Sequence, residues 1–354
     1  MKQNLFLFFI PITLCLDWFE ADPTLVFISS GLAIIPLAGV LGKATESLAI
    51  YIGETLGGLL AATMGNAPEL IISLFALKAG LHDVVKAAIT GSIIGNLLLG
   101  LGLAMFFGGL DKVKQKFNRI SAGMSSGLLM LASVGLIVPA IFQFTTKLEK
   151  DFSLEIAAVL FIAYLLSLIF TLKTHQHLFM SETAMQTDEG EAKKADEILW
   201  SKKKSLWVLV AVTIAITFMS ETLTGAIEPA AKSFGFTPIF VGVIFLAAFG
   251  NITDMMNSIR FARNNQMELS MGISVGASTQ VVMFVAPVLI FASYFMSPKP
   301  LDLLFAPFEI VAIVIAVLIN RSLTADGESH WMEGVMLLGV YLILGIGFFF
   351  LPGS

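Results

Sequence analysis

The chain has 354 residues, 56% hydrophobic and 13% charged, with a net charge of −5 and a mean hydropathy of +0.87. A soluble domain carries nearer 25% charge, so a soluble fold is excluded, and no basic surplus marks a nucleic-acid partner. The single cysteine, Cys15, excludes a disulfide framework and a cysteine metal centre.

Apolar runs long enough to cross a bilayer recur along the whole chain. The first, at 4–20, contains Cys15 as an ordinary apolar-helix residue. No small-residue cleavage site follows it, so it reads as a retained helix. The second, 24–56, is too long for a perpendicular span and is expected to be tilted or broken. Runs at 62–78, 83–108, 119–141 and 153–172 follow. The one long polar segment, Thr174 to Ser205, contains SETAMQTDEGEAKKADE. It reads as a solvated linker with a short acidic amphipathic helix. The remaining runs are 205–231, 237–261, 267–296, 302–320 and 331–351.

Beta-barrel alternation is absent, so the eleven spans are helical. With the N-terminus in the cytoplasm, fourteen Lys and Arg lie inside and six outside, Lys43 within a span being left out. This bias orients the chain. The expected fold class is an all-α polytopic membrane protein of about 11 transmembrane helices. An extra N-terminal helix (1–22) precedes one five-helix half (23–173). A cytoplasmic acidic linker (174–204) leads to the other half (205–354).

The halves repeat one another at an offset of 185 residues. Gly65 falls on Gly250, Asn66 on Asn251, Glu69 on Asp254, Ser73 on Ser258, Lys78 on Arg263 and Gly91 on Gly276. The repeated units cover 65–96 and 250–281. Five spans separate their starting points, so the second copy is inverted. Inverted repeats mark secondary transporters with a midplane site.

An ionisable group inside the membrane is costly and points to function. Glu69 and Asp254 each follow an Asn by three residues, on a shared helix face, and precede a Ser by four. Gly65, Gly250 and Pro68 weaken helix continuity and free carbonyl oxygens for a cavity. Facing each other, the units offer two carboxylates, the amides of Asn66 and Asn251, and hydroxyls. Ser92, Asn96, Ser278 and Gln280 stand on the helices that follow and are candidates to complete the cage. Hard, flexible oxygen ligands with two negative charges suit calcium better than magnesium. Gly91-x-x-x-Gly95 and Gly272-x-x-x-Gly276 read as helix-packing motifs. Glu46 and Glu221, in KATESLA and FMSETLT, are candidates for a cation access path or for a structural role.

GNAPELIISLFALK followed by GSIIGN, and GNITDMMNSIRFARNN followed by GISVGASTQ, resemble the two alpha-repeats of the calcium/cation antiporter superfamily. Within it they resemble the proton-coupled calcium exchangers, over almost the whole chain. The resemblance implies that Glu69 and Asp254 are the calcium and proton carboxylates. It implies that Asn66, Asn251, Ser92 and Gln280 are neutral ligands or neighbours. The second repeat of proton-coupled members usually reads Gly-Asn-Ala-x-Glu-His, whereas this chain has Asp254 and Met255. An Asp there resembles the potassium-dependent sodium/calcium branch, which carries Gly-Thr-Ser where this chain has Gly-Asn.

The expected activity is therefore export of Ca2+ in exchange for H+, with sodium (or sodium and potassium) coupling as the alternative. No cofactor is expected, and the expected partners are the two ions and the lipid bilayer of a prokaryotic cell. A homo-oligomer is left open. An intramembrane enzyme is the remote alternative, because Gly272-Ile-Ser274-Val-Gly276 has the form G-x-S-x-G. That motif needs a strand-turn-helix context, which an apolar helix does not supply.

Overall fold

The apolar runs fold into helices, which satisfy their own backbone groups where no water is at hand. The computed structural model describes residues 3–146, 152–175 and 200–352. Helix α1 is Phe9–Trp18, α2 is Pro23–Ile52, α3 is Glu54–Gly65 and α4 is Ala67–Lys78. Then follow α5 (His82–Gly109), α6 (Arg119–Thr146), α7 (Ser153–Thr174), α8 (Lys202–Gly225) and α9 (Ile227–Phe234). The chain continues with α10 (Pro238–Arg263), α11 (Met267–Met296), α12 (Pro307–Leu323) and α13 (Trp331–Phe350).

Among the described residues, eight single helices are long and apolar enough to cross a membrane. A ninth span is broken, its parts Leu56–Gly65 and Ala67–Lys78 bent by 48°. The expected spans 4–20 and 302–320 appear as the shorter helices Phe6–Trp18 and Pro307–Leu323.

Three expected boundaries are corrected. The run 24–56 stops at Ile52, because Gly53 takes φ 86°, where a side chain would be strained. The run 62–78 starts earlier, near Glu54, and is interrupted at Asn66. The run 205–231 stops at Gly225, and the short α9 follows. The acidic helix expected in the linker lies outside the described residues, as does most of that linker.

The break at Asn66 has a local cause. Pro68 has no N–H to donate to the preceding turn, so α4 starts afresh with Pro68 in its first turn. The matching position of the second unit is Thr253, which keeps its N–H. There the helix runs unbroken through Gly250, contrary to the expected weakening. Its irregularity is instead a π-helical turn at Val241–Leu246, just before the motif. Similar turns hold Asn96 (Gly95–Gly100) and follow Gln280 (Val281–Val285). Such turns collect at functional sites, because they re-aim side chains without ending a helix.

Two cores are present. One is built by α2 and α8 packed along each other, with Phe27, Ile34, Leu41, Ile216, Met219 and Leu223 between them. The larger one surrounds α5 and α11. The two bodies meet reciprocally, α4 lying on α8 and α10 on α2. Inside the larger body, α5 and α10 approach closely. A Cβ on Gly91 would overlap the backbone of Val243, and one on Gly242 would lie 2.7 Å from the Cβ of Ala87. Gly91 is thus a packing glycine, as expected. Gly272 and Gly276 are not, since nothing lies within 4 Å of a Cβ at either.

At one end, strands β1 (Gln115–Lys116) and β2 (Glu328–Ser329) pair antiparallel. Lys112 Nζ there donates to the carbonyls of Gly108, Ala262 and Arg263 at 3.1–3.3 Å. The segments 110–118, 264–266 and 324–330 therefore share one surface, called the loop face below.

Candidate ion site

Glu69 stands in the first turn of α4, where the broken span restarts, and is 7% exposed. Its side chain crosses to the other half of the molecule. A Cβ on Gly250 would lie 2.9 Å from Glu69 Cγ and 3.3 Å from Oε1. Only a glycine leaves that room. Glu69 Oε2 is buried and makes no hydrogen bond within the protein, a costly state for a carboxylate oxygen unless a cation or proton answers it. Asp254, on α10, is near enough to act on Glu69 electrostatically. It is partly exposed, and no Cβ-level contact closes over Gly65, the counterpart of Gly250. The repeat-related acids therefore sit unequally, Glu69 buried against Gly250 and Asp254 half-buried.

Polar side chains from both halves interlock around the acids. Asn251, fully buried, donates from Nδ2 to Ser92 Oγ (2.9 Å) and to the Ala247 carbonyl (2.8 Å). Its Oδ1 accepts from Asn96 Nδ2 at 2.8 Å. Asn66 donates from Nδ2 to Gln280 Oε1 (2.5 Å) and to the Ala62 carbonyl (3.2 Å). The Asn66–Gln280 and Asn251–Asn96 bonds are near-symmetric counterparts, each tying one motif to the helix that follows the other. Each such bond stabilises by about 1 kcal/mol net, and a buried partner left alone costs about 1–3 kcal/mol.

Six predicted residues thus gather here: Glu69, Asp254, Asn66, Asn251, Ser92 and Gln280, with Asn96 bonded directly to them. Ser73 joins them, lining a small cavity with Glu69, Ser92, Leu246 and Val281. Ser278 donates to the carbonyls of Ser274 (2.9 Å) and Ile93 (3.5 Å) and so braces α11 against α5. Ser258 does not face the acids. It bonds to Ser270 and Ser274 of α11. Glu46 is exposed on α2. Glu221 is exposed as well, 4.0 Å from Lys78, and borders a cavity of about 470 Å³ with Asp17 and Glu20.

Sequence reading missed Glu309, which is 2% exposed and accepts from Thr90 Oγ1 (3.2 Å) and the Ala306 N–H (2.8 Å). Its signal was available, a carboxylate inside the run 302–320. The neighbouring pair Lys86–Asp302, at 2.5 Å, was missed too, because its partners are 216 residues apart. Among the described residues, no three of His, Cys, Asp and Glu form a metal cluster. A cation at this site would meet two carboxylates and neutral oxygens.

A broken span, two acids on facing motifs and interlocked amides make up the candidate ion site, and the fold that carries it is that of an ion exchanger. The sodium/calcium exchanger protein family model matches residues 23–173 and 204–350, and the chain belongs to that family. A Ca(2+)/H(+) antiporter of Aphanothece halophytica is 42% identical over 360 residues, covering 98% of this chain and 95% of the relative. The Ca(2+)/H(+) antiporter ChaA of Bacillus subtilis (strain 168) is 43% identical over 321 residues, covering 90% of each. The solved structure of native YfkE superposes with a TM-score of 0.82 at 37% identity, over 97% of each chain. The chain is an integral membrane transporter with this helical fold, and not an enzyme.

Proposed function

We propose that this protein is a secondary antiporter that exports Ca2+ in exchange for H+. The observation that carries the reading is the buried, unpartnered Glu69 oxygen beside Asp254, in a site assembled from both halves. The antiporter relatives support the choice of ions. In this reading eleven spans cross a prokaryotic cell membrane as two inverted five-helix repeats, with an N-terminal helix added. The N-terminus and the loop face are cytoplasmic.

Two carboxylates hold either one Ca2+ or two protons. Both loads leave the site near neutral, whereas the empty, ionised site is costly in the membrane. Passage without a load is thereby suppressed, and exchange is obligatory. The two acids titrate as one coupled pair. Ser92, Asn66, Asn251 and Gln280 supply neutral oxygens or hold those that do. The α2–α8 pair has its own core, so it can slide past the site-bearing body as a gate.

Sodium coupling is the second reading, favoured by Asp254 and by Met255 where a His is usual. The experiment is calcium-45 uptake into proteoliposomes under a pH gradient with no sodium or potassium. Uptake is expected. Uptake that appears only after sodium loading would overturn proton coupling.

Two further outcomes are expected. Gly250→Ala should push Glu69 out of place and lower transport efficiency roughly tenfold or more. Gly65→Ala, where a Cβ meets open space, should cost far less. Comparing the half-saturating Ca2+ of the two variants checks this. Deleting Glu182 to Glu197 should alter rate or regulation and keep calcium selectivity. A Cys at Thr187 should label only from the cytoplasmic side, and labelling only from outside would invert the topology.

A further inference from the structure

Three successive turns of α5 are tied to the segment that leads into α12. His82, Lys86 and Thr90 are spaced by four residues and share one helix face. His82 Nε2 and Ser297 Oγ lie 3.1 Å apart. Lys86 Nζ donates to Asp302 Oδ1 at 2.5 Å and to the Leu304 carbonyl at 2.9 Å. Thr90, fully buried, donates from Oγ1 to Glu309 Oε1 at 3.2 Å. Glu309 Oε2 accepts from the Ala306 N–H at 2.8 Å. Both oxygens of this buried carboxylate are thus answered within the protein. Glu69 is the opposite case, with an unpartnered Oε2. A buried acid whose oxygens are both taken holds its neighbours in place, whereas one with an open oxygen requires a cation or a proton.

Thr90 stands behind the wall of the Glu69 cavity. Ala88, Ile89 and Ser92 of α5 line that cavity. Successive helix residues turn by about 100°, so Thr90 projects from the opposite side of the same turn, toward α12. Gly91, between Thr90 and Ser92, abuts the Val243 backbone of α10. Ser92 Oγ accepts from Asn251 Nδ2 at 2.9 Å. Residues 90, 91 and 92 therefore fix one turn of α5 from three sides, against Glu309, Val243 and Asn251. Loss of the Thr90–Glu309 bond frees the side that faces away from the cavity.

The second unit lacks this brace. At the 185-residue offset Thr90 falls on Val275, which is buried and has no side-chain donor. A valine of nearly the same shape is therefore accommodated at the repeat-related position, so the hydroxyl of Thr90 is not needed to fill space.

We propose that Glu309 is a positioning residue of the ion site. Through Thr90 it holds the turn 90–92 of α5, and with it the Ser92–Asn251 contact and the wall that faces Glu69. The inference rests on calcium as the transported ion, as read above. Glu309 acts on Thr90 and not on the ion. Its helix α12 packs on α5, α6 and α13, while the gate pair α2–α8 has its own core. The brace therefore bears on how tightly the ion is held and leaves the gating step alone.

The test uses the full chain in proteoliposomes and follows calcium-45 exchange against unlabelled calcium at equal pH, which does not depend on the coupling ion. Half-saturating Ca2+ and maximal rate are measured separately. Thr90→Val should raise half-saturating Ca2+ about tenfold, the size of one lost hydrogen bond to a charged group, and keep the maximal rate within about twofold. Thr90→Ser, which keeps the hydroxyl, should restore the unaltered value. Glu309→Gln should stay within about threefold of it, because the amide oxygen can accept from Ala306 while the amide nitrogen donates to Thr90 Oγ1. An unchanged half-saturating Ca2+ in Thr90→Val, or a fall in rate alone, would mean a packing role and overturn the assignment. Abolished exchange in Glu309→Gln would show that its charge serves the ions directly and would overturn it as well. If the unaltered protein exchanges no calcium, the calcium reading fails and the inference falls with it. That outcome is distinct from failure of the brace, in which the unaltered protein works and Thr90→Val matches it.

Discussion

Glu69→Gln is expected to abolish calcium uptake while the protein still inserts and keeps its melting temperature within a few degrees. The carboxylate is enclosed against Gly250, and its Oε2 has no protein partner. Gln keeps the shape and removes the charge. Loss of one member of a buried charged interaction costs about 3–5 kcal/mol, or roughly two to four orders of magnitude in affinity. Folding should not suffer, because no hydrogen bond within the protein is made through that oxygen. Asp254→Asn should behave likewise, as its partner across the site. Its more open surroundings predict a smaller effect on stability than on transport. Robust calcium uptake by either variant, measured with calcium-45 at saturating Ca2+, would remove the two-carboxylate site.

Gly91→Ala and Gly276→Ala should part company, although the two glycines are repeat-related. A methyl on Gly91 overlaps the Val243 backbone, which cannot rotate aside as a side chain would. Overpacking of a tight core costs about 1–3 kcal/mol, and this contact holds the helix that carries Ser92 and Asn96 beside Asn251. Gly91→Ala should lower both the melting temperature and the transport rate. Gly276→Ala meets no atom within 4 Å. It should hold or raise the melting temperature, with a gain of about 0.5–1 kcal/mol for Ala over Gly inside a helix. Thermal unfolding of the two purified variants decides. Equal destabilisation would mean that the two GxxxG motifs pack alike.

Membrane class, helix order and the position of two candidate acids were legible in the sequence itself. Hydropathy acts over one helix length at a time, so a run such as 331–351 announces its own fold as α13 without reference to any neighbour. Glu69 and Asp254 stood out because a carboxylate in an apolar run is costly, and because both recur in one register with Asn66 and Asn251. Gly91 was read correctly as a packing position.

Other features were decided only by tertiary structure. Pro68 broke the first unit at Asn66, while Thr253 let the second run straight through Gly250, so equal motifs took unequal backbones. Gly272 and Gly276 repeat the Gly91 spacing but face open space, because packing depends on which helix arrives, and spacing does not specify that. Ser258 carries the register of Ser73, yet it turns to Ser270 and Ser274 on α11. Lys86 finds Asp302, and Thr90 finds Glu309, across more than 200 residues of chain. Periodicity reports which face of a helix is apolar. The partner that a buried polar group meets is set by how the helices come together, since a desolvated group takes whichever donor or acceptor the packing brings within reach.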